Sequence, residues 1–173
     1  MKKDFVMPIL VLTVICLVVS AALAFTNAKT APIIEETARK TAEAARIEML
    51  PEADSFELME LTDLPGSVTE VYRAENGAGY VFMLETKGYG GIISMICGMD
   101  ADGVITDCKA LSHSETKGLG SKITDSSFRD QFSGTNSSLE GVSTITGASI
   151  SSGAYINAIR DAFAAYEIAR EAA

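Results

Sequence analysis

The sequence predicts an α+β protein built from a single N-terminal transmembrane helix, a helical stalk, and a domain in which helices flank an antiparallel sheet. Two features support this prediction: an apolar run over residues 5–25, and two pairs of alternating apolar and polar segments before an amphipathic C-terminal segment. At 173 residues the chain is long enough for one domain and an anchor. We therefore predict an N-terminus at residues 1–4, the span at 5–25, the stalk at 26–52 and the domain at 53–173.

The apolar run is interrupted only by Pro8, Thr13 and Ser20. About 20 helical residues at roughly 1.5 Å each match a hydrocarbon core of about 30 Å. A cleaved signal peptide is the alternative, because Lys2 and Lys3 supply a basic start and residues 22–24 have the small-residue pattern of a cleavage site. The run is longer than the usual apolar region of a signal peptide, about 7–15 residues, which favours a retained anchor.

Basic residues near the span predict its orientation. Lys2 and Lys3 favour a cytoplasmic N-terminus, which places the domain outside the cytoplasmic membrane. Lys29, Arg39 and Lys40 follow the span and reduce this charge asymmetry. We expect a single-pass protein with an extracytoplasmic C-terminal domain.

The composition argues against two kinds of partner. A formal net charge of −9 argues against nucleic acid, because contacts to phosphates need clustered lysine and arginine side chains. Three scattered cysteines and the single histidine, His113, are too few for a structural zinc or a four-cysteine iron–sulfur site. We predict neither a metal site nor a nucleic-acid partner.

The stalk is predicted to contain a helix over residues 31–49, with Pro32 near its start and Pro51 just past its end. Its apolar face would carry Ile34, Ala38, Ala42, Ala45 and Met49. A face of such modest apolarity packs weakly on its own domain or on a partner. A solvated spacer fits the same pattern, so the sequence leaves both interpretations open.

The first predicted hairpin pairs residues 68–73 with residues 80–85. Between them lies Asn76-Gly77, a dipeptide that tolerates the positive φ angles of a type I′ turn. Apolar and polar residues alternate on both sides, so each strand has one face that faces a core.

The second predicted hairpin pairs residues 92–99 with residues 104–111 around Asp102-Gly103. With those two residues as the loop, the facing pairs are Met99 and Thr106, Cys97 and Cys108, and Met95 and Ala110. One face then carries Ile93, Met95, Cys97, Met99, Val104, Cys108 and Ala110, and the other carries Asp107 and Lys109. The two facing cysteines either form a disulfide in an oxidising compartment or remain two reduced core residues.

The remaining chain is predicted to continue the domain with loops and helices. A polar, glycine-rich loop spans residues 112–121 and a short helix follows at about 125–132. Residues 139–145 are predicted to hold a short strand, and residues 151–172 form the closing helix. Its inward positions are Tyr155, Ile159, Phe163 and Tyr166.

The turn before the closing helix, residues 146–152, is a candidate phosphate site. A helix N-terminus exposes unpaired backbone N–H groups, and small residues with free hydroxyls suit a phosphate there. Taken alone, such a segment is also an ordinary helix N-cap. We do not expect Ser149 to be a hydrolase nucleophile, because no Ser-His-Asp arrangement accompanies it, and we assign no catalytic residue.

The same turn resembles the attachment motif of the FMN-binding domain family, Ser/Thr-Gly-Ala-Ser/Thr-x-Ser/Thr-Ser/Thr, whose hydroxyl residue after Gly-Ala forms a phosphoester with FMN. Residues 88–91, 100–103 and 128–132 follow that family's order and spacing, and residues 115–120 resemble its Glu-Thr-Pro-Gly-Leu-Gly loop. With its N-terminal anchor, the chain is most similar to G subunits of Rnf ion-translocating electron-transport complexes. C subunits of the sodium-pumping NADH:quinone reductase are next.

The resemblance implies an FMN held between two loops and linked covalently to Ser149. The implied cofactor-binding residues are Thr146, Gly147, Ala148, Ser149, Ser151, Ser152, Glu115, Thr116, Lys117, Gly118, Leu119, Gly120 and Tyr89. Gly118 and Gly120 would let the backbone approach a flat ring. Because a serine hydroxyl is a poor nucleophile near neutral pH, a separate flavin transferase is expected to make the linkage.

The resemblance further implies a flavin-carrying electron-transfer subunit of a membrane-bound ferredoxin:NAD oxidoreductase that moves sodium ions or protons, with other membrane subunits of the Rnf-type complex as partners. The chain alone would not complete that reaction. The alternatives are a quinone reductase C subunit, a free-standing extracytoplasmic flavoprotein and, from another class, an anchored non-redox binding or assembly module.

Three positions depart from the family pattern. Lys117 stands where proline is usual, Ser149 replaces the usual threonine, and Ser143 occupies a position where aspartate commonly precedes the motif. The first change loosens the loop and the second keeps the hydroxyl. If the transferase reads the acidic residue, Ser143 makes the modification inefficient.

Overall fold

The computed structural model describes residues 2–172, without the side chains of residues 2–6, 35, 38 and 39. The predicted orientation signal of Lys2, Lys3 and Arg39, and the predicted apolar position Ala38, lie outside the described side chains. The chain divides into two compact units, Met1–Ala42 and Glu43–Ala173.

The first unit is helical, and an apolar helix lies near the N-terminus, as predicted. Helix α1 spans Lys2–Met49, and its residues from Glu43 onward belong to the second unit. Within it, Met7–Ile34 is long and apolar enough to cross a membrane, and its side chains are unburied. Pro32, which was expected near the start of a separate stalk helix, lies inside α1. A proline removes one backbone hydrogen bond and kinks a helix, and good helix formers on both sides allow the helix to continue.

The second unit contains a five-stranded antiparallel sheet in which neighbours in sequence are neighbours in space. The strands are β1 (Phe56–Leu58), β2 (Val68–Ala74), β3 (Gly79–Lys87), β4 (Ile92–Asp100) and β5 (Ile105–His113). A 3₁₀ helix (Gly120–Thr124), α2 (Ser126–Arg129) and α3 (Ser149–Ala172) follow. The α+β class with flanking helices is confirmed, and β1 is a strand that the sequence patterns did not predict.

Both predicted hairpins form, but their turns differ from the expected ones. In the first hairpin a four-residue loop, 75–78, joins β2 to β3. The Gly77 N–H donates to the Ala74 carbonyl at 3.0 Å, and Gly77 alone of the predicted dipeptide has a positive φ, 76°. A type I′ turn needs a positive φ at both central residues, so the predicted turn type is wrong.

In the second hairpin two of the three predicted pairs are confirmed, Cys97 with Cys108 and Met95 with Ala110. Met99 pairs with Ile105 instead of Thr106, because a bulge shifts the register between Gly98 and Met99. A bulge inserts one extra residue into one strand and changes which side chains face the core beyond it. Ile105 is therefore a core residue, and Val104, which was predicted on that face, is not.

The segment between α2 and α3 contains turns where a strand was expected. Leu139 and Gly141 both have positive φ, 47° and 85°. The Val142 N–H donates to the Leu139 carbonyl at 3.2 Å, which closes a turn. Left-handed backbone at two positions is incompatible with extended structure, so the predicted strand over residues 139–145 is wrong.

Each face of the sheet is covered by a helix. Helix α3 packs on one face, and its four predicted inward residues, Tyr155, Ile159, Phe163 and Tyr166, are all buried there. On the opposite face Ala45, Met49 and Leu50 pack against Ala74, Val81 and Ile96. The end of α1 is fixed there, because the Thr106 hydroxyl donates to the Met49 carbonyl at 2.5 Å. The C-terminal turns of the predicted stalk therefore pack on the domain itself.

The two facing cysteines of β4 and β5 are free, buried thiols. Burial raises the pKa of the Cys97 thiol well above its usual value and that of Cys108 to about 12. Above the usual thiol pKa of about 8.5 the two thiols ionise in the unfolded chain but stay protonated in the folded one. The free energy of unfolding therefore decreases as the pH rises above that value. We expect that in a Cys16→Ser background neither thiol reacts with iodoacetamide at pH 8.5 until denaturant is added.

The measurement is the mass of the intact protein after alkylation under native and denaturing conditions. Rapid labelling of two sites in the native protein would show that the β4–β5 core is open to solvent.

Candidate functional site

The N-terminus of α3 forms one wall of a cleft of about 410 Å³. The lining residues are Tyr89, Glu115, Thr116, Leu119, Gly120, Gly147, Ala148, Ser149, Ile150 and Ser151. They come from three segments: the β3–β4 turn, the loop after β5 and the turn into α3. The cleft lies within the range of about 300–1,000 Å³ that small-molecule sites occupy.

Backbone N–H groups are available at the wall formed by α3. The Ala148 N–H donates to the Ile145 carbonyl at 2.9 Å, and the Ala148 carbonyl accepts from the Ser152 N–H at 3.0 Å. The N–H groups of residues 149–151, in the first turn of α3, therefore have no acceptor within the helix. Together with the helix dipole they favour an anion, and the exposed hydroxyl of Ser149 stands beside them.

Two residues of the motif, Gly147 and Ser152, shape the turn that leads into α3. The buried Ser152 hydroxyl donates to the Ala148 carbonyl at 2.8 Å and accepts from the Ile145 N–H at 3.0 Å. Gly147 has a φ of 82°, which the turn into α3 requires and which favours glycine. Ser152 therefore holds the turn in place, and Thr146, which is exposed, does not line the cleft.

Apolar side chains also line the cleft and are exposed at its rim. Leu119 and Ile150 are about half exposed, and the Tyr89 side chain, in the β3–β4 turn, is 72% exposed. Exposed apolar side chains around a concave site suit the faces of a planar ligand. Lys117 and Gly118, which were predicted to bind the cofactor, are exposed and lie outside the lining.

Glu115 is the one buried acidic side chain in the lining, with 8% of its surface exposed. Its Oε1 accepts from the Gly90 N–H at 2.9 Å, and its Oε2 accepts from the Ser151 hydroxyl. The Glu115 N–H donates to His113 Nδ1 at 3.2 Å, so His113 is tied to the loop backbone. A Cβ at Gly120 would lie 2.6 Å from Glu115 Oε2, so glycine there makes room for this carboxylate.

Nine of the thirteen predicted cofactor residues line the cleft, and Thr146, Lys117, Gly118 and Ser152 do not. Ile150 also lines the cleft and was not predicted from the sequence. It occupies the variable position of the motif, and its place in the exposed first turn of the helix was the signal that could have identified it. Within the described residues there is no group of three histidine, cysteine or acidic side chains that could hold a metal.

Comparison with known families agrees with this geometry. Residues 88–164 match the family of FMN-binding domains, and this range includes every residue that lines the cleft. The cleft therefore lies within the segment that matches the FMN-binding domain family.

Individual relatives identify the family more closely. The chain is 32% identical to the G subunit of the Na⁺-translocating ferredoxin:NAD⁺ oxidoreductase complex of Acetobacterium woodii, over 91% of this chain and 89% of that protein. It is also 32% identical to the G subunit of an ion-translocating oxidoreductase complex of Methanosarcina acetivorans, over 93% and 94%. The G subunit of a proton-translocating ferredoxin:NAD⁺ oxidoreductase complex of Clostridium ljungdahlii is 34% identical over 53% and 56%. The chain belongs to this family of G subunits, and its apolar N-terminal helix indicates membrane anchoring.

Proposed function

We propose that this chain carries FMN, linked through its phosphate to Ser149, and relays electrons within a membrane-bound ion-translocating ferredoxin:NAD oxidoreductase. The observation that supports the proposal most strongly is the exposed Ser149 hydroxyl beside the free N–H groups of the first turn of α3, at the mouth of the cleft. The names of the relatives supply the class of complex.

The residues that line the cleft suit both the phosphate and the ring system of FMN. The N–H groups of residues 149–151 are placed to donate to phosphate oxygens. Leu119, Ile150 and Tyr89 offer apolar surface to the ring system. Bound FMN would supply the electron-transfer chemistry, and the chain's own residues would hold the phosphate, orient the ring and limit the access of water.

The linkage requires a partner enzyme. The bond that forms joins Ser149 Oγ to phosphorus, so the incoming flavin nucleotide must carry a leaving group on that phosphorus. A serine hydroxyl also needs a base to take its proton. We assign both the activated flavin nucleotide and the base to a separate flavin transferase, which can reach Ser149 because its side chain is exposed.

Other membrane subunits of an Rnf-type complex would supply the electron donor, the electron acceptor and the ion path. Lys2 and Lys3 favour a cytoplasmic N-terminus, so we place the domain outside the cytoplasmic membrane. Protease added to intact cells, after the outer barriers are removed, is expected to cleave the domain. Protection in intact cells and cleavage in inverted vesicles would reverse the orientation.

The direct test is a denaturing gel of the membrane fraction viewed under ultraviolet light. A fluorescent band at the mass of this chain is the expected result. A dark band, together with no flavin released from the native protein by acid, would favour an anchored non-redox binding or assembly module.

Ser143→Asp is expected to raise the fraction of chains that carry the flavin, if the transferase reads an acidic residue there. The Ser143 side chain is exposed and its backbone is held by Gln131, whose Oε1 accepts from the Ser143 N–H at 2.9 Å. An aspartate therefore fits without displacing the loop. The ratio of modified to unmodified intact masses is the measurement, and Ser137→Asp, which adds the same charge elsewhere, is the control. Equal ratios in all three proteins would show that this position does not limit attachment.

A further inference from the structure

We infer that Glu115 is a positioning residue of the cleft: its buried carboxylate holds the β3–β4 turn and the first turn of α3 at a fixed separation. Glycines at 88 and 120 leave room for the carboxylate, and Gly90 leaves room for the backbone of Ser114. The carboxylate makes these hydrogen bonds within the protein, without a ligand. The effect of Glu115 on FMN binding, in contrast, rests on the proposed function.

The carboxylate joins segments that are distant in sequence. Gly90 lies 25 residues before Glu115 and Ser151 lies 36 residues after it, and each donates to a different oxygen of the same carboxylate. A carboxylate has no donor of its own and needs donors wherever it is buried. Charge-assisted hydrogen bonds are also stronger than neutral ones, so this side chain is well suited to fix both turns at once.

Glycine is needed around Glu115 because a side chain would collide with neighbouring atoms, and not because the backbone conformation requires it. None of Gly88, Gly90 and Gly120 has a φ in the left-handed region. A Cβ at Gly88 would lie 2.2 Å from Glu115 Oε1, and one at Gly120 would lie 2.6 Å from Glu115 Oε2. A Cβ at Gly90 would lie 2.2 Å from the carbonyl oxygen of Ser114, directly before Glu115. Any larger residue at these positions would displace the carboxylate or its loop.

This arrangement connects the two ends of the proposed FMN site. Ser151 belongs to the turn that would hold the phosphate, and Gly90 follows Tyr89, which lies at the rim. Loss of the carboxylate would therefore let the phosphate end and the rim move relative to each other. It would also remove a negative charge from the cleft wall, and such a charge opposes the addition of electrons to a nearby group.

The first experiment measures hydrogen exchange at the Gly90 amide in the full-length chain, in a Ser149→Ala background so that no covalent flavin contributes. Glu115→Ala is expected to accelerate exchange at Gly90. Glu115→Gln keeps a carbonyl acceptor and is expected to retain protection, while Glu140→Ala, at an exposed glutamate, is the control. Unchanged exchange at Gly90 in Glu115→Ala would overturn the inference.

The second experiment uses the steric relationship with Gly88. Gly88→Ala alone is expected to lower the melting temperature, because its Cβ collides with a carboxylate held by two hydrogen bonds. In Glu115→Ala that obstacle is gone, and the remaining close atom is the flexible end of Ile93. The double variant is therefore expected to melt no lower than Glu115→Ala. Losses that simply add would mean that Gly88 does not serve the carboxylate.

The third experiment measures the midpoint potential of the flavin in the loaded protein. Glu115→Gln keeps the side-chain shape and removes the charge, so the midpoint potential of the flavin that this variant carries is expected to rise. An unchanged potential would contradict the placement of this charge at the flavin. A wild-type protein without flavin would overturn the proposed function, while the exchange at Gly90 would still test the positioning role.

Discussion

Replacing Ser149 with alanine is expected to abolish the covalent flavin completely. The substitution removes the oxygen that would bond to phosphorus and leaves the backbone N–H groups of residues 149–151 in place. The denatured protein should therefore lose its fluorescent band and its flavin mass. The native protein should still bind FMN without a covalent bond, because the phosphate site itself persists.

Two further serine variants complete this test. Ser149→Thr keeps a hydroxyl at the same position and is expected to retain the adduct. Ser137→Ala removes an exposed hydroxyl from the loop before α3, outside the cleft, and should behave as the wild type. A fluorescent band that persists in Ser149→Ala would show that another residue carries the flavin.

Tyr155→Ala is expected to destabilise the fold by about 3–5 kcal/mol, the usual cost of removing a large buried aromatic side chain. Tyr155 is fully buried between α3 and the sheet. Its ring centroid lies 5.3 Å from that of Phe128 and 5.4 Å from that of Phe132, so it joins α2 and the following turn to α3. Urea unfolding of the full-length chain, followed by far-ultraviolet circular dichroism, measures the loss.

Tyr155→Phe separates the ring from its hydroxyl. The buried hydroxyl has no hydrogen-bond partner among the described residues. Removing a buried polar group that lacks a partner costs little or is favourable, so stability should change by less than about 1 kcal/mol. A loss as large as that of Tyr155→Ala would mean that the hydroxyl makes an interaction on which the core depends.

Local patterns in the sequence predicted much of this fold. Alternation of apolar and polar residues located four of the five strands, and it placed Cys97 opposite Cys108. The helical period identified the buried face of α3 through Tyr155 and Ile159. These features depend on neighbouring residues, so a single sequence contains most of the information needed to predict them.

Features that depend on distant contacts were not predicted. The register shift beside Gly98 occurs where the Met49 carbonyl approaches, since a Cβ at Gly98 would lie 2.6 Å from that oxygen. Met49 is the last residue of α1, far from Gly98 in the sequence. No local pattern around Gly98 therefore predicts this contact. Strand β1 is only three residues long, which is too short to show a period.

The candidate site divides in the same way. The motif around Ser149 identified the N-terminus of α3, because a helix start with small hydroxyl residues has a local signature. It did not reveal that the buried Ser152 hydroxyl stabilises the turn, or that both carboxylate oxygens of Glu115 accept hydrogen bonds from other segments. Those roles follow from distances across the folded chain.

The central claim is that the N-terminus of α3 anchors an FMN through a serine oxygen. Peptide mapping by tandem mass spectrometry of the wild-type protein, purified from its native membrane, tests it most directly. We predict a phosphoester-linked FMN on the peptide that contains residues 146–152, with fragment masses that place it on Ser149. An unmodified peptide, together with native protein that releases no flavin in acid, would contradict the account.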